Sequence, residues 1–153
     1  MMKSNMLCSG AEGTCHITIN DTIYDFGNVK NFEAKETNSI EEIRVLGRTT
    51  AVHKNNGSKG TFTCTMYYNQ SVLRQVQKTY KETGVMPRVD IHVANEDPSS
   101  TVGKQAVILL DCLFDSLVIA KLDVDSTTLT EDLSGTFDDW DMPKSFDLYE
   151  GMI

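Results

Sequence analysis

The fold is indicated most clearly by the stretch Thr61-Phe62-Thr63-Cys64-Thr65-Met66-Tyr67. In an extended chain the three apolar side chains between the threonines lie on one face, and the threonines lie on the other. Threonine is favourable in a strand and polar enough to face water. The stretch therefore predicts a β-strand with one face against a core and the other face against solvent.

The same period of two recurs on both sides of this strand. Alternation over residues 15–19, the turn Asn20-Asp21 and apolar residues over 23–26 predict a β-hairpin. Further strands are predicted at 89–94 and 128–137. The more uniformly apolar run 106–114 predicts a strand covered on both faces. The strand pattern then continues through 117–119 and 122–125, so the chain is predicted to be mainly β.

One segment has the period of a helix, with its apolar face formed by Val72, Leu73, Val76 and Tyr80. Asn69 or Ser71 can cap its start through a side-chain oxygen. Gly84 lies where a left-handed C-cap is needed, and Pro87 prevents continuation. By element count the fold class is α+β, with a single α-helix laid across a sheet or its open end.

Length and charge limit the functional classes. The 153 residues fit a single domain over 1–153, and they carry 14 Lys and Arg against 22 Asp and Glu, a formal net charge of −8. An acidic chain is not expected to bind DNA or anionic lipid as a polycation. The longest apolar stretch is far below the roughly 18 residues of a membrane span. Without a signal-peptide pattern, synthesis in the cytoplasm is expected.

The cysteines and histidines give no pattern of catalysis or metal binding. Cys15 and Cys64 fall on the apolar side of alternating runs and are predicted to be buried free thiols. The histidines lie on three separate segments, none at ligand spacing from another. We therefore expect no enzyme activity, no cofactor and no catalytic or metal-ligating residue.

Two acidic segments are candidate metal sites. Asp123-Val124-Asp125-Ser126 begins like a calcium loop but lacks the remaining ligands. Asp138-Asp139-Trp140-Asp141 has carboxylates on both faces of an extended chain, so a metal-dependent hydrolase built on Asp138 and Asp139 is the least favoured alternative. Trp140 is interpreted as a packing anchor or, if exposed, as an interface hot spot.

Residues 39–60 form a polar segment that is neither clear strand nor clear helix, and they are predicted to be a projecting loop or two polar strands joined by an arm. Basic residues in it could suggest nucleic-acid binding, but Glu41 and Glu42 lie beside them and no aromatic is interleaved for base stacking. Contact with another protein is the preferred interpretation. A second arm, flexible and N-terminal, is expected over residues 1–12.

The chain resembles the tail tube proteins of contractile-tailed phages and of PBSX-like phage elements of Gram-positive bacteria. The resemblance covers nearly the whole chain and rests on the order and spacing of Val29-Lys30-Asn31-Phe32-Glu33-Ala34-Lys35, Leu46-Gly47-Arg48, Lys54, Gly57-Ser58-Lys59-Gly60-Thr61, Tyr67-Tyr68, Glu96-Asp97-Pro98-Ser99-Ser100, Phe137-Asp138-Asp139-Trp140 and Phe146. One departure is the first turn, where Asn20-Asp21-Thr22 replaces an expected Asp-Gly.

The resemblance implies an antiparallel β-sandwich or half-barrel that assembles edge to edge into hexameric rings, stacked as a tube within a contractile sheath. Implied partners are further copies of the chain and the sheath, tape-measure and baseplate proteins of a virion or phage-like particle. DNA would pass without specific binding along a lumen of threonine and acidic residues, and no membrane would be involved. Contacts between subunits and rings are expected at Arg44, Leu46, Arg48, Lys54, Lys59 and Trp140. The alternative is a monomeric β-barrel module that binds a ligand or peptide in an apolar internal pocket.

Overall fold

A computed structural model describes residues 3–153 of the chain, which form two antiparallel sheets and one α-helix. This confirms the mainly β prediction. In chain order the strands are β1 (Gly13–Ile19), β2 (Thr22–Asp25), β3 (Val29–Ile43), β4 (Val52–Tyr67), β5 (Val89–Glu96), β6 (Lys104–Leu110), β7 (Leu113–Ser116), β8 (Thr130–Phe137) and β9 (Asp139–Lys144), and the helix α1 spans Val72–Thr83. None of the helical structure in residues 3–153 is long and apolar enough to cross a bilayer.

The two sheets pack face to face around one hydrophobic core. The five-stranded sheet has the order β2-β1-β5-β6-β9, and the four-stranded sheet has the order β3-β4-β8-β7. The alternating side chains of residues 61–67 behave as predicted, with Phe62, Cys64 and Met66 buried. They meet the apolar faces of β1, β5 and β6 from the other sheet, so burial of these two faces is what holds the sandwich together.

The β1–β2 hairpin is closed by the predicted turn. Asn20 and Asp21 have φ values of 47° and 68°, both in the left-handed region that Asn and Asp tolerate better than most residues. Ile19 pairs directly with Thr22, so this is a two-residue loop of the kind that favours left-handed central positions.

The helix is confirmed, although its start differs from the prediction. Ser71 is the N-cap residue but makes no side-chain cap bond. Instead the Gln70 Oε1 accepts a weak bond from the Leu73 amide at 3.4 Å. At the other end Gly84 has φ 74°, and its amide donates to the Tyr80 carbonyl at 2.7 Å, as predicted for a left-handed cap.

The prediction of a single strand over 106–114 was wrong. The run divides into β6 and β7, which belong to different sheets. Asp111 turns the chain with φ 53°, and the Cys112 amide then donates to the Val89 carbonyl at 2.8 Å. The uniform apolarity reflects a chain that crosses the core between the sheets, with Cys112 buried at the crossing.

The structure differs from the sequence-based prediction in two other segments. Residues 117–129 contain no strand, although their alternation predicted one. The acidic segment after Phe137 forms β9, which pairs with β6 through backbone bonds. In both cases the outcome depends on whether a neighbouring strand offers a free edge, which local alternation does not report.

The segment predicted to project, residues 39–60, lies mostly in the extended strands β3 and β4, and only 44–51 stand between them. Residues 1 and 2 of the predicted N-terminal arm lie outside the described residues. The rest of that arm contacts the β5–β6 connection, where the Thr101 amide donates to the Asn5 carbonyl at 2.8 Å and the Ser9 amide donates to Asp97 Oδ2 at 2.9 Å.

Candidate assembly interface

The outer parts of β3 and β4 form a projecting hairpin arm, defined here as residues 37–59. Its backbone pairs run from Thr37 opposite Lys59 to Ile43 opposite Val52. Nearly all of its side chains are exposed. The register shifts next to Gly57, which has φ 110°. A shift of this kind leaves one extra residue in β4, and such bulges bend a hairpin and increase its twist.

The tip of the arm presents an apolar side chain between two cations. Gly47 has φ 84° and the Arg48 amide donates to the Val45 carbonyl at 3.3 Å, which closes a tight turn. Leu46 at the apex has a relative exposure of 103%. Arg44 and Arg48 flank it in sequence and are exposed. A fully solvated leucine beside two arginines is typical of a surface that contacts another protein.

The six residues predicted as contacts are not brought together in one patch. Arg44, Leu46 and Arg48 lie at the tip, whereas Lys54 lies opposite Glu41 along the arm and Lys59 lies at its base. Trp140 is on β9, which belongs to the other sheet. The six residues therefore occupy three separate places, at the tip of the arm, along its length and at its base, and do not form one site.

Trp140 joins the two sheets at the base of the arm. Its Nε1 donates to Glu36 Oε2 at 2.9 Å, and the Ser58 hydroxyl donates to Glu36 Oε1 at 2.9 Å. Both carboxylate oxygens of Glu36 are thus bound, one to each sheet. Trp140 stays 42% exposed, so it is at once an anchor for the arm and an open aromatic surface. Sequence reasoning missed Glu36 and Ser58, since nothing local marks them.

Close packing of the β4 backbone against an aromatic ring also fixes the position of the base of the arm. A Cβ at Gly60 would lie 2.4 Å from the Phe137 ring. Only glycine lets β4 pass this close, so the arm leaves the sandwich at a position set by that contact.

The outer face of the four-stranded sheet is mostly polar, with Tyr67 and Leu113 as exposed exceptions. The threonines of residues 61–65 alternate with the buried side chains of β4, and Thr65 Oγ1 donates to Asp132 Oδ1 at 2.8 Å. Ser134 donates to the Asp115 carboxylate on the same face. Most of the side chains exposed here are hydroxyls and carboxylates, several of them hydrogen-bonded to one another, and Lys35 is paired to Glu33 at 3.1 Å. This face is suited to contact with water.

The opposite end of the same sheet carries a buried ion pair. Glu131 is 1% exposed; its Oε2 accepts from Arg74 Nη1 at 2.8 Å and its Oε1 accepts from Gln70 Nε2 at 2.8 Å. The Arg74 guanidinium lies 4.5 Å from the centre of the Tyr68 ring. These contacts attach α1 to β8 and pair the buried carboxylate with a cation and a side-chain amide.

The groups capable of chemistry remain scattered. In the part of the chain that the structure describes, no three His, Cys, Asp or Glu side chains are grouped as a metal site. The cysteines are free, with Cys8 partly exposed. Burial raises the pKa of Cys15 to about 11 and that of Cys64 and Cys112 to about 12, so these three stay protonated and unreactive at neutral pH. Burial of Cys15 and Cys64 as free thiols is confirmed.

The fold and the site define a two-sheet β-sandwich with a long, almost fully exposed hairpin arm. Residues 1–144 match the family described as "Phage tail tube protein", and the chain belongs to that family. It is 34% identical over 143 residues to the Phage-like element PBSX protein XkdM of Bacillus subtilis (strain 168), covering 94% of this chain and 95% of XkdM.

Solved structures share the fold at low sequence identity. A chain of the anti-feeding prophage baseplate, 6-fold symmetrised, matches with a TM-score of 0.69 at 14% identity, covering 92% of this chain and 97% of that one. A chain of the sheath-tube complex of an extracellular contractile injection system, PVC, in its extended state matches with a TM-score of 0.68 at 10% identity, covering 93% and 98%. The expected resemblance to tail tube proteins is thus confirmed, and the two-sheet architecture belongs to that fold.

Proposed function

We propose that this chain is the subunit of stacked hexameric rings that form the inner conduit of a contractile phage tail or phage-like particle, with a structural rather than an enzymatic role. The observation that carries the proposal is the four-stranded sheet, which combines two edges left unpaired within residues 3–153 with a mostly polar outer face. Membership of the tail tube family supports the same reading.

Edge pairing between copies gives the ring. In the described chain β3 and β7 each pair on one side only, with β4 and with β8. Such edges expose unpaired amide and carbonyl groups, and closing a ring through them removes the exposure. Six copies of a four-stranded sheet would give 6 × 4 = 24 strands, a number wide enough for an aqueous channel. The six-fold symmetry stated for the anti-feeding prophage baseplate supports the number six.

The polar face would line the channel. Its hydroxyls offer weak, interchangeable hydrogen bonds, and Asp115 and Asp132 add negative charge. With a formal charge of −8 per subunit, a wall of this kind repels a polyanion and does not hold it, so DNA would pass without specific binding. A solved tube with positive potential along its lumen would contradict this assignment.

Contacts between neighbouring subunits and rings are assigned to the hairpin arm and its base, through Arg44, Leu46, Arg48, Lys54, Lys59 and Trp140. The exposure of Leu46 and Trp140 supports this assignment. A sheath partner is supported by the sheath-tube complex that shares the fold. We extend the proposal to tape-measure and baseplate partners and to a subunit made in the bacterial cytoplasm and carried in the particle.

The test is assembly of the purified chain. Concentrated protein imaged by negative-stain microscopy is expected to show rings or tubes with a central hole, and light scattering after size exclusion is expected to show a mass that rises with concentration. A chain that stays monomeric at every concentration and salt tested would contradict the proposal and would instead favour the monomeric binding module.

A further inference from the structure

A second exposed apolar surface lies in the connection between β7 and β8. Leu122 and Val124 are each 98% exposed, and Asp123 and Asp125 alternate with them. We call residues 122–125 the acidic loop. With Leu46 at the tip of the hairpin arm, these two are among the most exposed aliphatic side chains of the described residues, and two of them in one short turn indicate a surface that another molecule covers.

The acidic loop has a defined conformation. The Asp125 amide donates to Asp123 Oδ1 at 3.1 Å, and the Ser126 amide donates to the Asp123 carbonyl at 3.3 Å. Lys121 is anchored by a bond from its Nζ to the Thr130 carbonyl at 2.6 Å. The turn therefore holds Leu122 and Val124 outward, and the nearby lysine is engaged with the backbone of β8.

The tip of the hairpin arm is complementary to this loop in composition. Residues 44–48 contain Arg44 and Arg48 around exposed Val45 and Leu46, without an acidic residue. Residues 122–125 contain two carboxylates around two exposed aliphatic side chains, without a basic residue. Contact between the two segments would pair opposite charges around a shared apolar centre, the arrangement typical of a protein interface.

Within one chain the two segments lie at opposite ends of the four-stranded sheet. On the arm side Gly60 pairs with Phe137, and at the other end Tyr67 pairs with Thr130. The Tyr68 amide donates to the Leu129 carbonyl at 2.9 Å, which holds the loop at that far end. Since β4 has 16 residues, roughly 50 Å of strand separates its ends. The tip can reach the acidic loop only of another copy.

We infer that the tip, residues 44–48, docks on the acidic loop, residues 122–125, of a copy in the next ring. The contact joins different surfaces of two identical chains that lie at opposite ends of the sheet, so it can repeat from one ring to the next without closing on itself, as stacking requires. This inference rests on the proposed function, because it assigns the ring-to-ring partner of the arm. The occupant of the loop is a second copy of this chain.

The first experiment swaps the charges. Arg44→Gln with Arg48→Glu alters the tip, and Asp123→Asn with Asp125→Arg alters the loop by an equal and opposite charge while keeping an oxygen acceptor at position 123. Each altered protein is expected to form at least tenfold less tube than the wild type by quantitative negative-stain microscopy. The protein carrying all four changes is expected to recover most of the loss.

The second experiment detects the contact directly. In a Cys8→Ser background, Leu46→Cys and Val124→Cys are made as separate proteins and treated with a short bis-maleimide. Their mixture is expected to give a cross-linked dimer several times more abundant than either protein alone, and high salt is expected to weaken it. The remaining cysteines are buried and serve as internal controls of folding.

The outcomes separate this inference from the proposed function. If the wild type forms tubes and the protein with the altered loop forms as many, the docking is overturned and the proposed function stands. The same conclusion follows if the altered loop reduces tube formation and the protein carrying all four changes does not recover it. The same holds if only an added sheath protein protects Val124→Cys from labelling, because the occupant is then a different chain. A wild type that forms neither rings nor tubes overturns the proposed function and the docking with it.

Discussion

The inner and outer halves of β4 are held by different interactions. The inner half, residues 61–67, has a strand on each side and buries Phe62 and Met66. The outer half, residues 52–59, pairs with β3 alone and is almost entirely exposed. A single continuous strand thus carries both the core of the subunit and its projecting arm. Substitutions near the inner half should change the free energy of unfolding, and those in the arm should change assembly.

The largest loss of stability is expected from Glu131→Ala. It leaves the Arg74 guanidinium in a site where it is only 16% exposed and without its carboxylate partner, and losing one member of a buried pair costs about 3 kcal/mol or more. Urea unfolding measures the loss. Asp132→Ala is the matched control, because the neighbouring carboxylate lies on the exposed face; an equal loss in that protein would contradict the difference between the two faces.

Gly135→Ala is expected to cost about 2 kcal/mol through overpacking. An added Cβ would lie 2.1 Å from the Leu113 carbonyl oxygen and 2.8 Å from the Phe62 ring, so β7 must move away from β8. Thermal unfolding followed by circular dichroism measures the change. Gly10→Ala has nothing within 4 Å of the new Cβ and should leave the thermal midpoint unchanged. If the midpoint of Gly135→Ala were also unchanged, β7 would be loosely packed against β8.

Trp140→Phe tests the junction between the halves. It removes the bond to Glu36; because both partners of this bond are exposed, stability should fall by only about 1 kcal/mol. Hydrogen exchange in residues 37–59 should nevertheless rise, because the arm loses its attachment to the five-stranded sheet. Met142→Leu, two positions along the same strand, is the control. Unchanged exchange in the arm would mean that the β3–β4 ladder alone orients it.

Leu46→Ser is expected to have the smallest effect on stability, within about 0.5 kcal/mol, since the side chain is fully exposed. Tube formation should be lost all the same, because an apolar contact at the tip is removed. Leu148→Ser, which changes another exposed leucine, should affect neither property. A destabilised Leu46→Ser protein, or one that forms normal tubes, would break the proposed division between core and arm.

Local alternation of apolar and polar residues was sufficient to predict a strand wherever that strand has an ordinary antiparallel partner. The prediction from residues 61–67 was confirmed in face and in burial, as were the first hairpin, the strand at 89–94, the strand ending at Phe137 and the body of the helix. In each case the periodic pattern is itself the consequence of one buried face, so reading the pattern recovers the face.

The failures occurred where the outcome depends on a distant partner. β9 exists because β6 offers an open edge, and the run 106–114 breaks because Asp111 carries the chain from one sheet to the other. Glu36 and Trp140 are 104 positions apart, and no local signal connects them. Glu131 can be buried because the helix brings Arg74 to it, across 57 positions of the sequence.

By itself the sequence determined which segments extend and which of their faces are apolar, because alternation and turn residues act over a few neighbouring positions. Together with the order of its short segments, this was enough to place the chain among tail tube proteins. Only the tertiary structure decided which strands share a sheet, which edges stay open, and that the cationic tip and the acidic loop lie at opposite ends. Those features arise from pairing between remote segments, where backbone hydrogen bonding and core packing select one arrangement among many that local patterns allow.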